Sequence, residues 1–335
     1  MRVYELRDFS VDRLEVAEQP DPVPAPGQVV VRVGAVSLNF RDTLVVKGLY
    51  SRKLRLPLTP CSDAAGEVLA VGEGVSRVRP GDRVAGIFMQ RWIAGELDEE
   101  KARSALGAGG QGVLAEQVVF DQQALVPIPR SLSFEEAATL PCAGVTAWNA
   151  LMVAGRLVPG QTVLALGTGG VSIFALQLAC IAGARVIVTS SSDEKLGRAR
   201  DLGAAETINY RTTPDWEEKV RELTGKRGAD HVIEVGGAET LPKSIRAARF
   251  GGHIALVGNL TGRGGVDIVP IFMKGLRVTG IFVGSRAMFE AMNRAIELAG
   301  MRPVIDRVFA FDQAPQALQY METAGHFGKI VIRVG

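Results

Sequence analysis

The fold of this chain is constrained most by one sequence pattern, in which a short apolar segment leads through clustered glycines into a helical segment. Residues 163–166 have the character of a buried strand, 167–170 supply a turn, and an apolar run to Ala182 follows. Gly167 permits a tight turn there, and Gly169 lets the main chain approach a pyrophosphate, which also meets the free N–H groups of the helix N-terminus. Ser172 stands at the third motif position, where Gly or Ala is usual. The motif predicts a dinucleotide site whose residues are Gly167, Thr168, Gly169, Gly170 and Val171, and the alternative for the turn alone is a plain tight strand-to-helix connection.

Strand and helix patterns alternate after about residue 128, which predicts a doubly wound parallel sheet of the Rossmann type in an α/β fold. The strands are expected near 162–166, 185–189, 231–235, 253–257 and 276–282. The helices are expected near 133–154, 171–182, 193–202, 215–224, 239–249 and 286–299.

The segments on either side of this region have β character. Residues 1–127 carry short β-type runs punctuated by Gly and Pro, and the tail 303–335 returns to the same pattern. We expect the tail to fold back onto the first segment. The predicted domains are therefore a β-rich domain of 1–127 with 283–335 and a dinucleotide-binding domain of 128–282.

Composition limits the classes of protein and partner. The 335 residues include 38 Lys and Arg against 36 Asp and Glu, so no basic surface predicts nucleic-acid binding. We find no long uncharged apolar run, and Arg2, Glu5, Arg7 and Asp8 argue against a signal peptide. The sequence predicts a cytoplasmic protein that binds neither nucleic acid nor membrane.

The end of the second predicted strand bears on the choice of cofactor. An acidic residue about 20 positions after the first glycine would bind the adenosine ribose of NAD, but Ser190, Ser191 and Ser192 stand there instead. These hydroxyls, with Lys195 one turn on, favour the 2′-phosphate of NADPH. Alternatively, Ser191 and Glu194 form a capping box for the next helix, and both interpretations can hold together.

The whole chain resembles the medium-chain dehydrogenase/reductase superfamily. The matching segments, in the family's order, are 27–31, 38–42, 80–84, 112–116, 137–141, 146–148, 160–164, 167–172 and 328–331. The resemblance implies a chaperonin-10-like catalytic domain beside the Rossmann domain, with the active site between them. It also implies a homodimer, formed through the last sheet strand near Val278, with a tetramer as the alternative.

The resemblance implies that no metal is bound. Zinc-dependent relatives take catalytic ligands from three places, which correspond here to Asn39, Ser62 and Cys142, and only the cysteine is a zinc ligand. The region 91–112, which matches the structural-zinc lobe, contains no cysteine. The chain is similar to the zinc-lacking quinone oxidoreductase and enone reductase branches, which implies hydride transfer from NADPH to a small electrophilic substrate. A metal-free alcohol or aldehyde dehydrogenase and a non-catalytic NADPH-binding protein remain alternatives.

The resemblance also assigns site residues. Asn39 and Asp42 are expected to line the catalytic site, Tyr50 to donate to the substrate oxygen, and Thr146 to lie by the nicotinamide. The alternatives are a loop-holding hydrogen bond for Asp42, simple packing for Tyr50 and a bond to its own helix for Thr146. The resemblance further assigns Tyr210, Phe282, Val283, Ser285 and Lys329 to the cofactor. Val235, Gly236, Val257 and Gly258 end later strands at the usual cofactor-facing edge, with plain turns as the alternative for the glycines.

Overall fold

A computed structural model describes residues 1–51, 53–108, 110–262 and 264–335. They form two compact units. The first contains 1–145 with 284–335, and the second contains 146–283. The first unit therefore includes residues 128–145, which the sequence analysis assigned to the dinucleotide-binding domain.

The regular elements of the described residues are numbered here in chain order. The strands are β1 (Arg2–Leu6), β2 (Leu14–Glu18), β3 (Gln28–Ser37), β4 (Asp63–Val71), β5 (Arg83–Gly86), β6 (Gln117–Asp121), β7 (Leu125–Pro127), β8 (Thr162–Leu166), β9 (Arg185–Ser190), β10 (Glu206–Asn209), β11 (Ala229–Glu234), β12 (Ala248–Leu256), β13 (Arg277–Gly280), β14 (Ile305–Ala310) and β15 (Lys329–Arg333). The α-helices are α1 (Phe40–Val46), α2 (Glu99–Arg103), α3 (Phe134–Ala138), α4 (Val145–Trp148), α5 (Gly170–Ile181), α6 (Asp193–Asp201), α7 (Trp216–Leu223), α8 (Leu241–Ala247), α9 (Val269–Met273), α10 (Arg286–Ala299) and α11 (Ala314–Glu322).

The first unit is built on a bent sheet with strand order β14-β15-β3-β4-β5-β7, in which β6 also pairs with β3. The long strand β3 pairs with three neighbours because register shifts between Val30 and Val31 and between Val33 and Ala35 change its direction. The C-terminal strand β15 lies antiparallel beside the end of β3, with Val331 opposite Ser37. The tail therefore folds back onto the first segment and returns to the start of α1.

The second unit holds a six-stranded parallel sheet of order β10-β9-β8-β11-β12-β13. The order reverses between β8 and β11, which is where doubly wound sheets bind their ligands. Every residue of β8 and β11 is buried, as expected for strands covered on both faces. This sheet and the β-rich first unit confirm the predicted α/β fold class. No helix within the described part of the chain is long and apolar enough to cross a membrane.

The helix predicted over 133–154 is less regular than expected. Ser133 and Glu136 form a capping box at the start of α3. The path then passes through a π-helical turn, Leu140–Gly144, before α4, and a second one, Asn149–Val153, follows α4. Pro141 lacks an N–H group and cannot continue the α-helical hydrogen-bond ladder, which accounts for the first change of winding.

Candidate active site

Asn39 and Asp42 lie at the junction of β3 and α1 in the first unit. The Asn39 main-chain N–H donates to Asp42 Oδ2 at 2.8 Å, so Asp42 makes the loop-holding hydrogen bond given above as the alternative to acid–base work. Asp42 is buried, and burial raises the pKa of its carboxyl to about 6 while the Arg41 guanidinium opposes the rise. Asp42 Oδ1 has no hydrogen-bond partner among the described residues.

Lys329 contacts Asn39 although almost the whole chain separates them. Lys329 precedes Val331 by two residues and Asn39 follows Ser37 by two, so the antiparallel register of β15 and β3 places them side by side. Lys329 Nζ donates to the Leu38 carbonyl at 2.5 Å and to Asn39 Oδ1 at 2.6 Å. The side chain is only 3% exposed. In this structure its ammonium therefore faces Asn39, and its assigned role in cofactor binding stays a prediction.

Asp63, at the start of β4, joins this group through two hydrogen bonds. Its Oδ1 accepts from Ser62 Oγ at 2.8 Å, and its Oδ2 accepts from the Cys142 main-chain N–H at 3.1 Å. Burial raises the pKa of Asp63, and the positive charge of Lys329 opposes that rise. Burial likewise raises the pKa of the Cys142 thiol, which keeps it protonated.

Tyr50 lies beside the same group through Arg41. The Arg41 guanidinium lies 4.8 Å from the centre of the Tyr50 ring and 4.7 Å from that of Phe88, and it donates to the Leu106 carbonyl at 2.9 Å. Tyr50 is 39% exposed. Its ring is therefore a cation–π partner of Arg41, and its role as a donor to the substrate stays a prediction.

The glycine-rich turn of the second unit has the geometry of a phosphate site. Gly167 adopts φ +73°, the left-handed conformation that a glycine at the end of β8 permits. Gly169 is the N-cap of α5, and Thr168 is buried beside it. The Ser172 hydroxyl donates to the Leu166 carbonyl at 2.6 Å, so the atypical third motif residue ties the helix to the end of the strand.

The residues assigned to the 2′-phosphate meet at the ends of β9 and β10. The Tyr210 main-chain N–H donates to the Ser190 carbonyl at 3.0 Å, and Tyr210 is 42% exposed. The predicted capping box of Ser191 and Glu194 is wrong by one residue. Ser192 is the N-cap of α6, and its Oγ accepts from the Lys195 main-chain N–H at 3.3 Å.

Glu234, which the sequence analysis did not identify, organises the loop after β11. Its Oε1 accepts from the main-chain N–H groups of Gly236 at 2.7 Å and Gly237 at 3.0 Å and from Thr240 Oγ1 at 2.6 Å. Its Oε2 accepts from Ser244 Oγ. The carboxylate is completely buried and holds this loop at the carboxyl edge of the sheet. An acid directly after the apolar pair Val232 and Ile233, at the end of the strand, was the available signal.

The remaining cofactor assignments lie at strand ends and helix starts. A Cβ atom on Gly258 would lie 2.5 Å from the Val235 carbonyl oxygen, so the loops after β11 and β12 are in contact there. Gly236 and Val257, each adjacent in sequence to one of these two residues, therefore lie at the same contact. Val283 adopts φ +58°, which is strained for a β-branched residue, and its carbonyl accepts from Asn149 Nδ2 at 2.8 Å.

Three further residues assigned to the cofactor lie close in sequence to the first or last residue of the second unit. Phe282 is 39% exposed, and Thr146 is buried on α4. Ser285, in the first unit, is the N-cap of α10 and accepts from the Met288 main-chain N–H at 3.3 Å. Its hydroxyl therefore has a structural partner in this conformation.

Comparison with known proteins identifies the family. The pattern of the alcohol dehydrogenase GroES-like domain matches residues 25–130, and that of zinc-binding dehydrogenases matches residues 170–299. A zinc-type alcohol dehydrogenase-like protein of Schizosaccharomyces pombe is 44% identical over 337 residues, which cover 98% of this chain and 97% of that protein. The chain belongs to the medium-chain dehydrogenase/reductase superfamily.

Two other similar members of the superfamily are named for different activities. A solved NAD-dependent alcohol dehydrogenase superposes with a TM-score of 0.92 at 38% identity and covers 100% of both chains. Rat (Rattus norvegicus) quinone oxidoreductase is 29% identical over 342 residues, which cover 99% of this chain and 96% of that protein. As a medium-chain dehydrogenase/reductase, the chain is a nicotinamide-dependent oxidoreductase.

The cofactor edge of this dehydrogenase fits a dinucleotide, whereas the first unit does not fit a catalytic zinc ion. Asn39 and Ser62 offer no thiolate or imidazole, and the ammonium of Lys329 bonds directly to Asn39 Oδ1. Across the residues that the structure describes, no three His, Cys, Asp or Glu side chains are grouped to hold a metal.

Proposed function

We propose that this oxidoreductase transfers hydride from NADPH to a quinone or an α,β-unsaturated carbonyl compound without a metal ion. The observation that carries the proposal is the buried group around Lys329. There the Lys329 ammonium bonds the Asn39 amide, and Asn39 occupies a sequence position that corresponds to a zinc ligand in zinc-dependent relatives. Substrates of this class are already electrophilic, and their negative charge develops on an oxygen atom that hydrogen-bond donors can stabilise.

The chain's own residues would then bind and polarise the substrate. Bound NADPH supplies the hydride. Asn39 offers a neutral amide donor held by Lys329, and Tyr50 offers a hydroxyl on the exposed side of Arg41. A small electrophile needs positioning and such donors rather than an alkoxide-stabilising Lewis acid.

The preference for NADPH is supported by the residues at the end of β9. Ser190, Ser191 and Lys195 offer hydroxyls and a positive charge there. The first acidic residue after the serines, Asp193, accepts a hydrogen bond from Asn209 Nδ2 at 2.8 Å. A free carboxylate aimed at the ribose would instead have repelled a 2′-phosphate.

The test is a turnover assay on chelator-treated protein with NADPH or NADH and quinones, enones, aldehydes and alcohols. We expect oxidation of NADPH by quinones or enones, unchanged by chelator. Ser191→Asp should lower kcat/KM with NADPH by about tenfold through charge repulsion, and the neutral Ser191→Asn should not. Preference of the wild type for NADH would contradict the cofactor proposal, and loss of activity in chelator would contradict the metal-free one.

A metal-free alcohol dehydrogenase is the second candidate, favoured by the 38% identity to an NAD-dependent alcohol dehydrogenase. In the same assay it predicts turnover of simple alcohols with NAD and little reduction of quinones. Binding of NADPH without turnover of any substrate would favour the non-catalytic alternative.

We also propose that the protein forms a homodimer through the edge of the second unit's sheet. Strand β13 ends the strand order, and large apolar side chains of the neighbouring α9 segment are exposed, with Ile268 at 67% and Phe272 at 65%. Phe272→Asp should convert the dimer to a monomer in analytical ultracentrifugation, whereas Phe272→Leu should not. A wild-type monomer would refute this proposal.

A further inference from the structure

Lys329 is a buried cation whose partners are fixed by the fold. Its Nζ bonds the Leu38 carbonyl and Asn39 Oδ1, and its charge attracts the buried carboxylate of Asp63. Burying an ammonium is unfavourable unless polar partners and opposite charge offset the loss of water, and here two hydrogen bonds and the charge of Asp63 do so. The pairing of β15 with β3 holds the lysine in this place, so its position does not depend on a mobile side chain at the surface.

The bond to Lys329 determines how the Asn39 amide can act. Because an ammonium can only donate, the atom that it contacts must be the amide oxygen, and the amide nitrogen is therefore turned away. Asn39 Nδ2 is buried and has no partner within hydrogen-bonding distance among the described residues. The Asn39 side chain faces Asp63 closely enough to help lower the pKa of that carboxyl, although no hydrogen bond of ordinary length joins Nδ2 to it. A buried donor without a partner calls for an explanation.

We propose that Lys329 is the resident cation of this site. Its ammonium stands where a metal-dependent relative carries zinc, and by bonding Oδ1 it orients Asn39 so that Nδ2 donates to the carbonyl oxygen of the substrate. The second half of this proposal rests on the proposed function, whereas the first half does not. Lys329 is thus a positioning residue that acts through Asn39.

The placement of the cation can be tested without turnover. Asn39→Cys with Ser62→His puts two new ligands beside Cys142, and Co²⁺ binding is followed by its thiolate absorption. Adding Lys329→Met should tighten the Co²⁺ dissociation constant by about tenfold or more, because a competing positive charge is removed. The matched control is Lys274→Met, which removes an ammonium that bonds main-chain carbonyls in the second unit and should leave the affinity unchanged.

Two results would overturn this placement. One is equal Co²⁺ affinity with and without Lys329, and the other is a folded Lys329→Met variant of the two-ligand protein that does not bind Co²⁺. Removal of Lys329 alone leaves the buried Asp63 carboxylate without its neighbouring positive charge. The same Co²⁺ titration is therefore repeated in proteins that also carry Asp63→Asn, with and without Lys329→Met.

The orientation of Asn39 is tested by kinetics with NADPH and the quinone or enone that the wild type turns over. Compared with Asp63→Asn alone, Asp63→Asn with Lys329→Met should lower kcat by about 100-fold, the size expected for loss of an oxyanion donor. KM should change by less than about threefold, and Lys329→Arg should recover part of kcat. Equal kcat in Asp63→Asn with and without Lys329 would overturn the orientation role. If the wild type turns over no substrate, the proposed function fails while the Co²⁺ result still decides the placement.

Discussion

His231 and His253 should make the second unit less stable as the pH falls towards 5. They are opposite each other on β11 and β12, with ring centres 5.7 Å apart, and both are buried. Burial, helped by the charge of the neighbouring Arg277, lowers the pKa of each from 6.5 to about 4, although Asp230 opposes the shift at His231. The unfolded chain therefore takes up protons first, so stability is full above about pH 6.5 and is lost as the pH falls towards 4.

The size of the effect follows from these pKa values. At pH 5 an unfolded histidine with a pKa of 6.5 is almost fully protonated, whereas a folded one with a pKa of about 4 is almost neutral. The difference reduces the free energy of unfolding by about 2 kcal/mol for each histidine relative to pH 8. Both ring nitrogens of His253 have no hydrogen-bond partner among the described residues, so His253→Leu removes the titrating group without breaking a described bond.

The assay is urea unfolding at pH 8 and pH 5, followed by tryptophan fluorescence and assigned to the second unit by hydrogen exchange. From pH 8 to pH 5 the free energy of unfolding should fall by about 2 kcal/mol less in His253→Leu than in the wild type. Ile254→Val, the next residue on β12 and also buried, is the matched control and should lose about 1 kcal/mol at both pH values. Parallel pH curves for the wild type and His253→Leu would refute the reasoning.

Two further substitutions test buried carboxylates. The amide of Glu234→Gln cannot accept all four hydrogen bonds that the Glu234 carboxylate accepts. We therefore expect denaturant unfolding to show a loss of about 1–3 kcal/mol and kinetics to show a raised KM for the nicotinamide cofactor. Glu239→Gln, at an exposed position, is the control and should change neither quantity. Asp42 has a raised pKa, so its cost to stability is present above about pH 6 and disappears below pH 4. Asp42→Asn should therefore stabilise the protein by up to about 3 kcal/mol at pH 8 and have little effect at pH 4, and an equal effect at both pH values would contradict this.

The sheet of the second unit was largely predictable because its signal is local. Apolar runs such as 162–166 and the glycine turn after them indicate a strand and a helix start within a few residues, and the structure has both there. Strand β10 was missed because Glu206–Asn209 contains one apolar residue, Ile208, and forms a strand only through its pairing with β9. Helix α11 was also missed, since the β character of the tail was extended across it.

The sequence named Asn39, Asp42 and Lys329 as site residues, but it named neither Asp63 nor Glu234 and none of the contacts among these side chains. Asn39 and Lys329 each lie in a motif that the sequence shows, yet nothing local to either motif indicates that they bond. The contact depends on the register of β15 against β3, which joins the two ends of the chain. The capping error at the start of α6 has a smaller cause. Ser190, Ser191 and Ser192 are chemically equivalent candidates, and only the main-chain conformation selects Ser192.

Function explains the polar group of the first unit better than stability does. Apolar residues of similar volume in place of buried charged groups are often neutral or stabilising, so Lys329 and Asp63 are weak as stabilising elements. The group also leaves Asn39 Nδ2 and Asp42 Oδ1 without partners, which adds to its cost. Under the proposed function, a fold that keeps these charges in its core, and ties its C-terminal strand to β3 to position one of them, bears that cost for chemistry. A substrate oxygen that accepts from Asn39 would satisfy the donor that the folded chain leaves free.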